Sequence, residues 1–219
     1  NILSAICLPP LFQQVQIKTS TALLRDKIYT ITASNIKDCK GNSIGNNKTI
    51  RTGIPADPLP GEWVINEILF NPKSNAYDYV EFLNNGKRIL DASRLFIANR
   101  NSSGAISSIK ALSAVPFYIF PEEHPVSTID PIRLTQFYLV KNPNLLLPVE
   151  VPPTFPDDEG YVITLDAQGN ILDEVHYKDD WHFKLIDNPE GVALERIDPA
   201  APSNEPGNWH SAASTAGYG

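Results

Sequence analysis

Methionine is missing altogether from this 219-residue chain, and cysteine occurs only twice. Two cysteines cannot complete a zinc site without nearby histidines, and His124, His176, His182 and His210 all lie in the other half of the chain. Cys7 and Cys39 are therefore candidates for one disulfide, which would add about 3–4 kcal/mol in an oxidising compartment. A pair of unbonded buried thiols is the alternative. Long apolar runs are absent too: Leu145–Leu147 and Val162–Leu165 are short and broken by proline or charge, far below the roughly 20 residues that cross a bilayer. No membrane span is expected in this piece. Helical periodicity is not sustained anywhere, and the 19 prolines would interrupt most helices. The expected fold is all-β.

Several catalytic signatures are missing as well. There is no Gly-x-Ser-x-Gly nucleophile elbow around Ser211, no phosphate-cradling Walker sequence and no Gly-x-Gly-x-x-Gly fingerprint. The start, Asn1-Ile2-Leu3, carries neither the basic region nor the cleavage site of a signal peptide, so the chain reads as a piece of a longer exported polypeptide. Charge is uneven. Residues 1–53 hold seven Lys or Arg against Asp26 and Asp38, net +5, and the whole-chain value of −7 leaves −12 for residues 54–219. An acidic body repels a phosphate backbone, and the basic residues of 1–53 are scattered without interleaved aromatics, so no nucleic-acid partner is expected.

What is present is a succession of strand signals. Phe12–Lys18 and Lys27–Ala33 read as half-buried strands, and Asp38-Cys39-Lys40-Gly41-Asn42 supplies turn chemistry before a third strand around Ser43–Thr52. The stretch Ile54-Pro55-Ala56-Asp57-Pro58-Leu59-Pro60 is a proline-rich linker (54–60). Beyond it, strands are expected at 63–70, 78–83, 94–98, 105–112, 117–120, 137–141, 161–165, 171–177 and 192–197, which together make a sandwich or barrel. Asn84-Asn85-Gly86 suggests a tight hairpin turn, because both Asn and Gly accept positive φ. The best-defined hairpin joins Tyr161–Leu165 to Ile171–Tyr177 through Asp166-Ala167-Gln168-Gly169-Asn170.

Leu24–Thr32 followed by Ile36–Asn42 resembles the C-terminal half of immunoglobulin-like domains of bacterial surface proteins, so residues 1–53 would be the C-terminal part of such a domain. In the remainder, Val64–Pro72, Asp78–Asn84, Leu90–Ala98, Asp158–Leu165, Ile171–Tyr177 and the run from Gly191–Ile197 to Asn208–Ala213 together resemble a bacterial lamin tail domain over residues 61–219. That resemblance implies an immunoglobulin-like β-sandwich of lamin tail type, extracellular or at the cell surface, with no catalytic residues to carry over. Its departure from a minimal lamin tail is the loop-rich middle, 102–156, where a ligand would be read.

Candidate sites follow from chemistry. Glu67, Asp78 and Glu81 could converge on a hard cation such as Ca²⁺, which takes six to eight oxygen ligands; hydrogen bonding at strand ends is the bland reading. Acidic turns at Asp157-Asp158-Glu159 and Asp179-Asp180 lack the spacing of a calcium loop. Trp181-His182 and Trp209-His210 form a repeated pair that would suit a sugar platform, although tryptophans more often pack inward. His176, Asp173 and Ser211 are the only triad worth naming, and no motif supports it. Alternation puts Glu195 on the face opposite Leu194 and Arg196, so either charged residue could join an internal ion pair with a neighbouring strand, and Arg196 would anchor a strand to a loop carbonyl or carboxylate. The expected function is a non-catalytic structural or binding module of a large exported protein, with protein or cell-surface polysaccharide as partner and no resident cofactor. The alternative is a carbohydrate- or surface-binding accessory domain of a secreted hydrolase or nuclease.

Overall fold

The pattern Asp-x-x-Gly-Asn occurs at 38–42 and at 166–170, and the computed structural model, which describes all residues except 39, 44, 46, 47 and 213–219, gives both the same bonding. Asp38 Oδ1 accepts the N–H groups of Lys40 (2.9 Å) and Asn42 (2.8 Å), while Oδ2 accepts the Asn42 side-chain amide (2.8 Å). Asp166 treats Gln168 and Asn170 alike, at 2.9, 2.8 and 2.8 Å. Gly41 and Gly169 take φ of 85° and 84°, a region that costs a side chain but not glycine. The Asn42 side chain and then the local backbone donors hold the Asp38 carboxyl below its ordinary range.

Two compact units result, Asn1–Ala56 and Asp57–Gly219. The division falls inside the proline-rich stretch. Its second half belongs to the larger unit, because Asp57 Oδ1 pairs with Arg94 (2.8 Å) and Glu62 Oε2 accepts the Leu59 N–H (2.8 Å). In the first unit β1 (Ile2–Cys7) pairs antiparallel with β2 (Val15–Thr19), and β3 (Tyr29–Ala33) with β4 (Lys48–Thr52), as separate ladders. The expected half-buried character of Phe12–Lys18 is not found: Phe12, Val15 and Ile17 are exposed. Among the described residues of this unit no apolar side chain is buried.

The larger unit is a β-sandwich. Its strands are β5 (Trp63–Leu69), β6 (Tyr79–Asn84), β7 (Leu90–Asp91), β8 (Phe96–Arg100), β9 (Ile106–Ala111), β10 (Tyr118–Ile119), β11 (Val126–Thr128), β12 (Leu146–Pro148), β13 (Glu159–Leu165), β14 (Ile171–Lys178), β15 (Leu194–Arg196) and β16 (Trp209–Ser211). One sheet runs β12-β11-β6-β5-β15-β16, the facing sheet β14-β13-β8-β9, and β7 pairs with β10. Among the described residues only β11 and β12 pair in parallel. Alternate residues of both sheets, among them Trp63, Ile65, Phe82, Ile97, Val162, Val175 and Leu194, form the main core. Trp63 closes one end by donating Nε1–H to Thr164 Oγ1 across the sheets (2.9 Å). Phe70 stacks on Tyr177 at 4.4 Å elsewhere in the core.

Strand β5 is not regular. Ile65 faces Phe82 and Glu67 faces Glu81, so Asn66 is an extra residue in a bulge, and such an insertion shifts the alternation by one. Ile65 and Ile68 both point into the core despite their odd spacing, whereas Glu67 and Leu69 point outward. Pairing with β15 stops at Glu67 opposite Glu195. Beyond it, the Ile65 N–H donates to Asp173 Oδ2 (2.9 Å) and the Ile65 carbonyl accepts from Arg196 Nη1 (2.9 Å). Nη1 also bonds Asp173 Oδ2 (2.9 Å), while Nη2 donates to the Ala201 carbonyl and Ser203 Oγ, each at 2.8 Å. The Ser203 hydroxyl returns to Asp173 Oδ1. A buried ion pair thus completes the backbone of one sheet using an acid from the other.

The outward face of the six-stranded sheet is itself partly covered. A helix, α1 (Pro131–Phe137), opens on Asp130, whose side chain accepts the Arg133 N–H, with Pro131 in the first turn; both residues suit those positions. Leu134 packs with Leu69, Tyr79, Val126 and Ala193 in a second apolar cluster. The strand expected at 137–141 is therefore replaced by the helix end and an irregular segment. The turn at Asn84-Asn85-Gly86 also differs from expectation. Neither Asn85 nor Gly86 has positive φ, and β6 does not pair with β7. Glycine is required there because a Cβ would sit 2.8 Å from the Glu62 side chain, and buried Asn84 organises the loop by donating to the carbonyls of Arg88 (2.8 Å) and Ile119 (3.1 Å).

Arg196→Ala leaves Asp173 buried without its cation, a change that costs about 3–5 kcal/mol. At roughly 2–4 °C per kcal/mol for a domain of this size, thermal unfolding should fall by about 10 °C. A melting curve that does not move would remove the anchoring role of this residue.

Candidate functional site

Antiparallel register brings together carboxylates that are far apart in the chain. On the outward face Glu81 of β6 lies opposite Glu67 of β5, Glu67 lies opposite Glu195 of β15, and Glu195 lies opposite His210 of β16. Facing residues on neighbouring strands have Cβ atoms roughly 4.5–5.5 Å apart. The row continues across the same sheet to Val126 of β11, opposite Glu81, and Leu146 of β12, and together with Leu134 and Tyr138 it lines a cavity of about 500 Å³. Helix α1 and the segment behind it create this space by covering only part of the sheet.

Each member of the row is held differently. Glu81 Oε1 accepts from Asn66 Nδ2 (2.8 Å) and meets His124 Nδ1 at 3.0 Å; that hydrogen bond raises the His124 imidazole above its ordinary pKa despite partial burial. Glu195 has His210 Nε2 at 3.5 Å. Glu67 is only 4% exposed. The Tyr79 hydroxyl donates to its Oε1. Burial first, and then the charges of Glu81 and Glu195, push the Glu67 carboxyl up to about 8 against the opposing Tyr79 bond. At neutral pH it is protonated.

The expected trio of Glu67, Asp78 and Glu81 is thus corrected to Glu67, Glu81 and Glu195. Asp78 precedes β6 with the opposite parity and belongs to the other side of the sheet, where burial and then the charge of Asp157 raise its carboxyl to about 7. Among the described residues no three His, Cys, Asp or Glu side chains are grouped to hold a metal ion. Glu159 from the acidic turns instead pairs with His176 (2.6 Å) and Lys178 (3.2 Å).

The two Trp-His pairs do not form a common platform. Trp209 is buried and donates Nε1–H to the Ser203 carbonyl (2.8 Å), and the Arg196 guanidinium lies over its ring. His182 is buried beside Phe70, bonded through Nδ1 to Ser211 Oγ (3.0 Å), with no partner for Nε2 among the described residues; burial lowers its pKa. His210 reaches Glu195 instead. Trp181 alone lines an open groove, with Tyr161, His176, Lys178, Lys184 and Asn204. Tyr161 and His176 stack at 4.0 Å with an interplanar angle of 6°, and Arg100 lies over Tyr161. His176, Asp173 and Ser211 do not assemble into a triad, since Asp173 serves Arg196, His176 serves Glu159 and Ser211 serves His182 and the Phe183 N–H. Cys7 is exposed, and its suggested disulfide partner Cys39 lies outside the described residues.

No protein-family model, curated protein or solved structure matches this chain. Its all-β sandwich is the class that the coordinates define. Sequence reasoning missed Glu195, Tyr79 and Tyr138 as members of the site. Parity along β15 separates Glu195 from Leu194, but nothing local says that β15 lies beside β5.

A carboxyl whose pKa is raised on folding favours the folded state below its unfolded value, near 4.5, and that contribution disappears as pH rises through 8. Glu67→Gln, which cannot ionise, should therefore gain stability relative to the parent protein between pH 5 and pH 9, by on the order of a few kcal/mol. Urea unfolding of both proteins across that range checks this. Parallel stability profiles would show that Glu67 titrates normally.

Proposed function

We propose that the chain is a non-catalytic structural or binding module of a large extracellular or cell-surface bacterial protein, with residues 61–219 a lamin tail domain and residues 1–53 the C-terminal part of an immunoglobulin-like domain. The observation that carries this reading is the disposition of the buried ionic groups. Arg196 and Asp173 are committed to joining two sheets, which suits a part that resists deformation and presents its surface to something else. The first unit adds support. Its exposed Ile2, Leu3, Ile6, Phe12, Val15 and Ile50 are what half of a sandwich displays when the other half is elsewhere, because an isolated two-stranded ladder has too little apolar surface to bury.

A second reading, a carbohydrate- or surface-binding accessory domain of a secreted hydrolase or nuclease, is favoured by the Trp181 groove. Aromatic faces flanked by Lys178, Lys184 and Asn204 are suited to stacking on sugar rings while hydrogen bonding their hydroxyls.

Brief protease treatment of intact producing cells, followed by mass spectrometry of the released peptides, should recover this chain. Peptides found only after lysis would contradict an exposed module. Glycan-array binding that is lost in Trp181→Ala would favour the second reading, whereas an array with no signal leaves the tethering reading preferred.

A further inference from the structure

We propose that the groove beside Trp181 binds a pyranose that carries a carboxylate, a uronate or a sialate of an acidic polysaccharide. This rests on the reading of the larger unit as a carbohydrate-binding accessory domain and names the class of sugar that it recognises.

The groove, about 610 Å³ in volume, lies where three elements meet, and each of them is held in place. On β13 and β14, Tyr161 pairs across the strands with His176, and the two rings stack at 4.0 Å. Trp181 follows β14 and is steadied by Trp209, with ring centroids 6.3 Å apart. Asn204 comes from the loop that the buried ion pair fixes: Ser203 bonds Arg196 and Asp173, and Trp209 donates Nε1–H to the Ser203 carbonyl. Asn204 Oδ1 accepts the His176 N–H (2.6 Å) where β14 is an edge strand. That bond assigns the two ends of the amide, so the NH2 is the end left for a ligand. Side chains positioned in this way lose little freedom on binding.

The donors decide the class of sugar. Lys178 and Lys184 both line the groove, and Lys178 spends its charge on Glu159 at 3.2 Å, so the cation offered to a ligand is the exposed Lys184. Beside that ammonium stand the Asn204 NH2 and the Trp181 indole N–H. Among the described lining residues Asp180 is the one carboxylate. A neutral sugar brings hydroxyls that donate as well as accept, and it brings no charge to the ammonium. A sugar carboxylate only accepts, and its bonds to Lys184 and Asn204 are of the charge-assisted kind. The ring that carries it then lies against Trp181 and Pro206, and Asp180 accepts from a ring hydroxyl. The larger unit is acidic overall and its field opposes a polyanion. Recognition therefore depends on one seated carboxylate, and a short oligosaccharide is enough to show it.

Isothermal titration of the whole 219-residue chain tests this with tri-galacturonate and 3′-sialyllactose, against the methyl ester of tri-galacturonate, lactose and glucose 6-phosphate. The expected result is saturable one-to-one binding of the acids, about tenfold tighter than of the neutral sugars. It should weaken as sodium chloride rises from about 50 to about 500 mM. Lys184→Gln should weaken binding of the acids about fivefold and leave the ester unchanged. Asn204→Asp keeps the oxygen that accepts from His176 and sets a negative charge where the NH2 stood, so it should abolish binding of the acids alone. Both positions are exposed, which keeps the test decisive if Trp181→Ala, at a residue packed against the core, unfolds. The tighter of the two acids identifies the source of the carboxylate, a uronate within a chain or a terminal sialate. No saturation by either acid at roughly 10 mM, equal binding of acid and ester, tighter binding of glucose 6-phosphate, or affinity unchanged in both charge variants would overturn the proposal. Binding of ester and lactose without preference for the acids would leave the carbohydrate reading standing, whereas no binding of any sugar would remove both.

Discussion

The pairing of Arg196 with Asp173 is the interaction on which the sandwich turns. It is buried, it joins β15 of one sheet to β14 of the other, and its two members also satisfy the N–H and carbonyl of Ile65 where the β5–β15 ladder has stopped. A buried ion pair of this sort gains little over an apolar substitute, but it is costly to break one side at a time. Its consequence here is geometric. The bulge at Asn66 leaves backbone groups that a regular strand would have paired, and the ion pair with Ser203 supplies their partners.

That bulge decides what faces the cavity. Without the extra residue, the alternation that sends Trp63 and Ile65 inward would send Glu67 inward as well, into a core of Trp63, Phe82 and Val162 where an acid would have no donor. With it, Ile68 and Phe70 fill the core and Glu67 comes out opposite Glu81 and Glu195. The outward face is then closed over by α1, so the acid is turned away from one apolar environment and enclosed by another. Its raised pKa records that history: desolvation is the largest cause, and like charge follows. Glu81, its neighbour in the row, is bonded by Asn66 and His124.

The two units differ in kind as well as in charge. The larger holds every buried apolar side chain among the described residues, while the smaller consists of two ladders with exposed isoleucine, leucine, valine and phenylalanine. Exposed apolar residues standing singly are ordinary, but a whole unit without a core depends on something else to bury it. The common Asp-x-x-Gly-Asn turn shows that this difference does not come from local folding. Both units turn the chain with the same aspartate bonds, and only one of them has enough neighbouring strands to form an interior.

Local chemistry was legible from the residues alone. Alternation located most strands to within a few positions, Asp166–Asn170 closed the β13–β14 hairpin, and parity put Arg196 inside, because these features depend on contacts within a few residues or on a period of two. Even α1 carried a readable start in Asp130-Pro131, hidden only by the expectation that proline excludes helix. Neighbourhood was not legible. That β5 lies between β6 and β15, that one extra residue at Asn66 reverses the sense of Glu67, that Trp209 packs inward while His210 turns to Glu195, and that Asp78 leaves the company of Glu81 all follow from strand order and register. Strand order and register are set by how two whole sheets bury their faces against each other, a sum over distant residues that no single stretch of sequence contains.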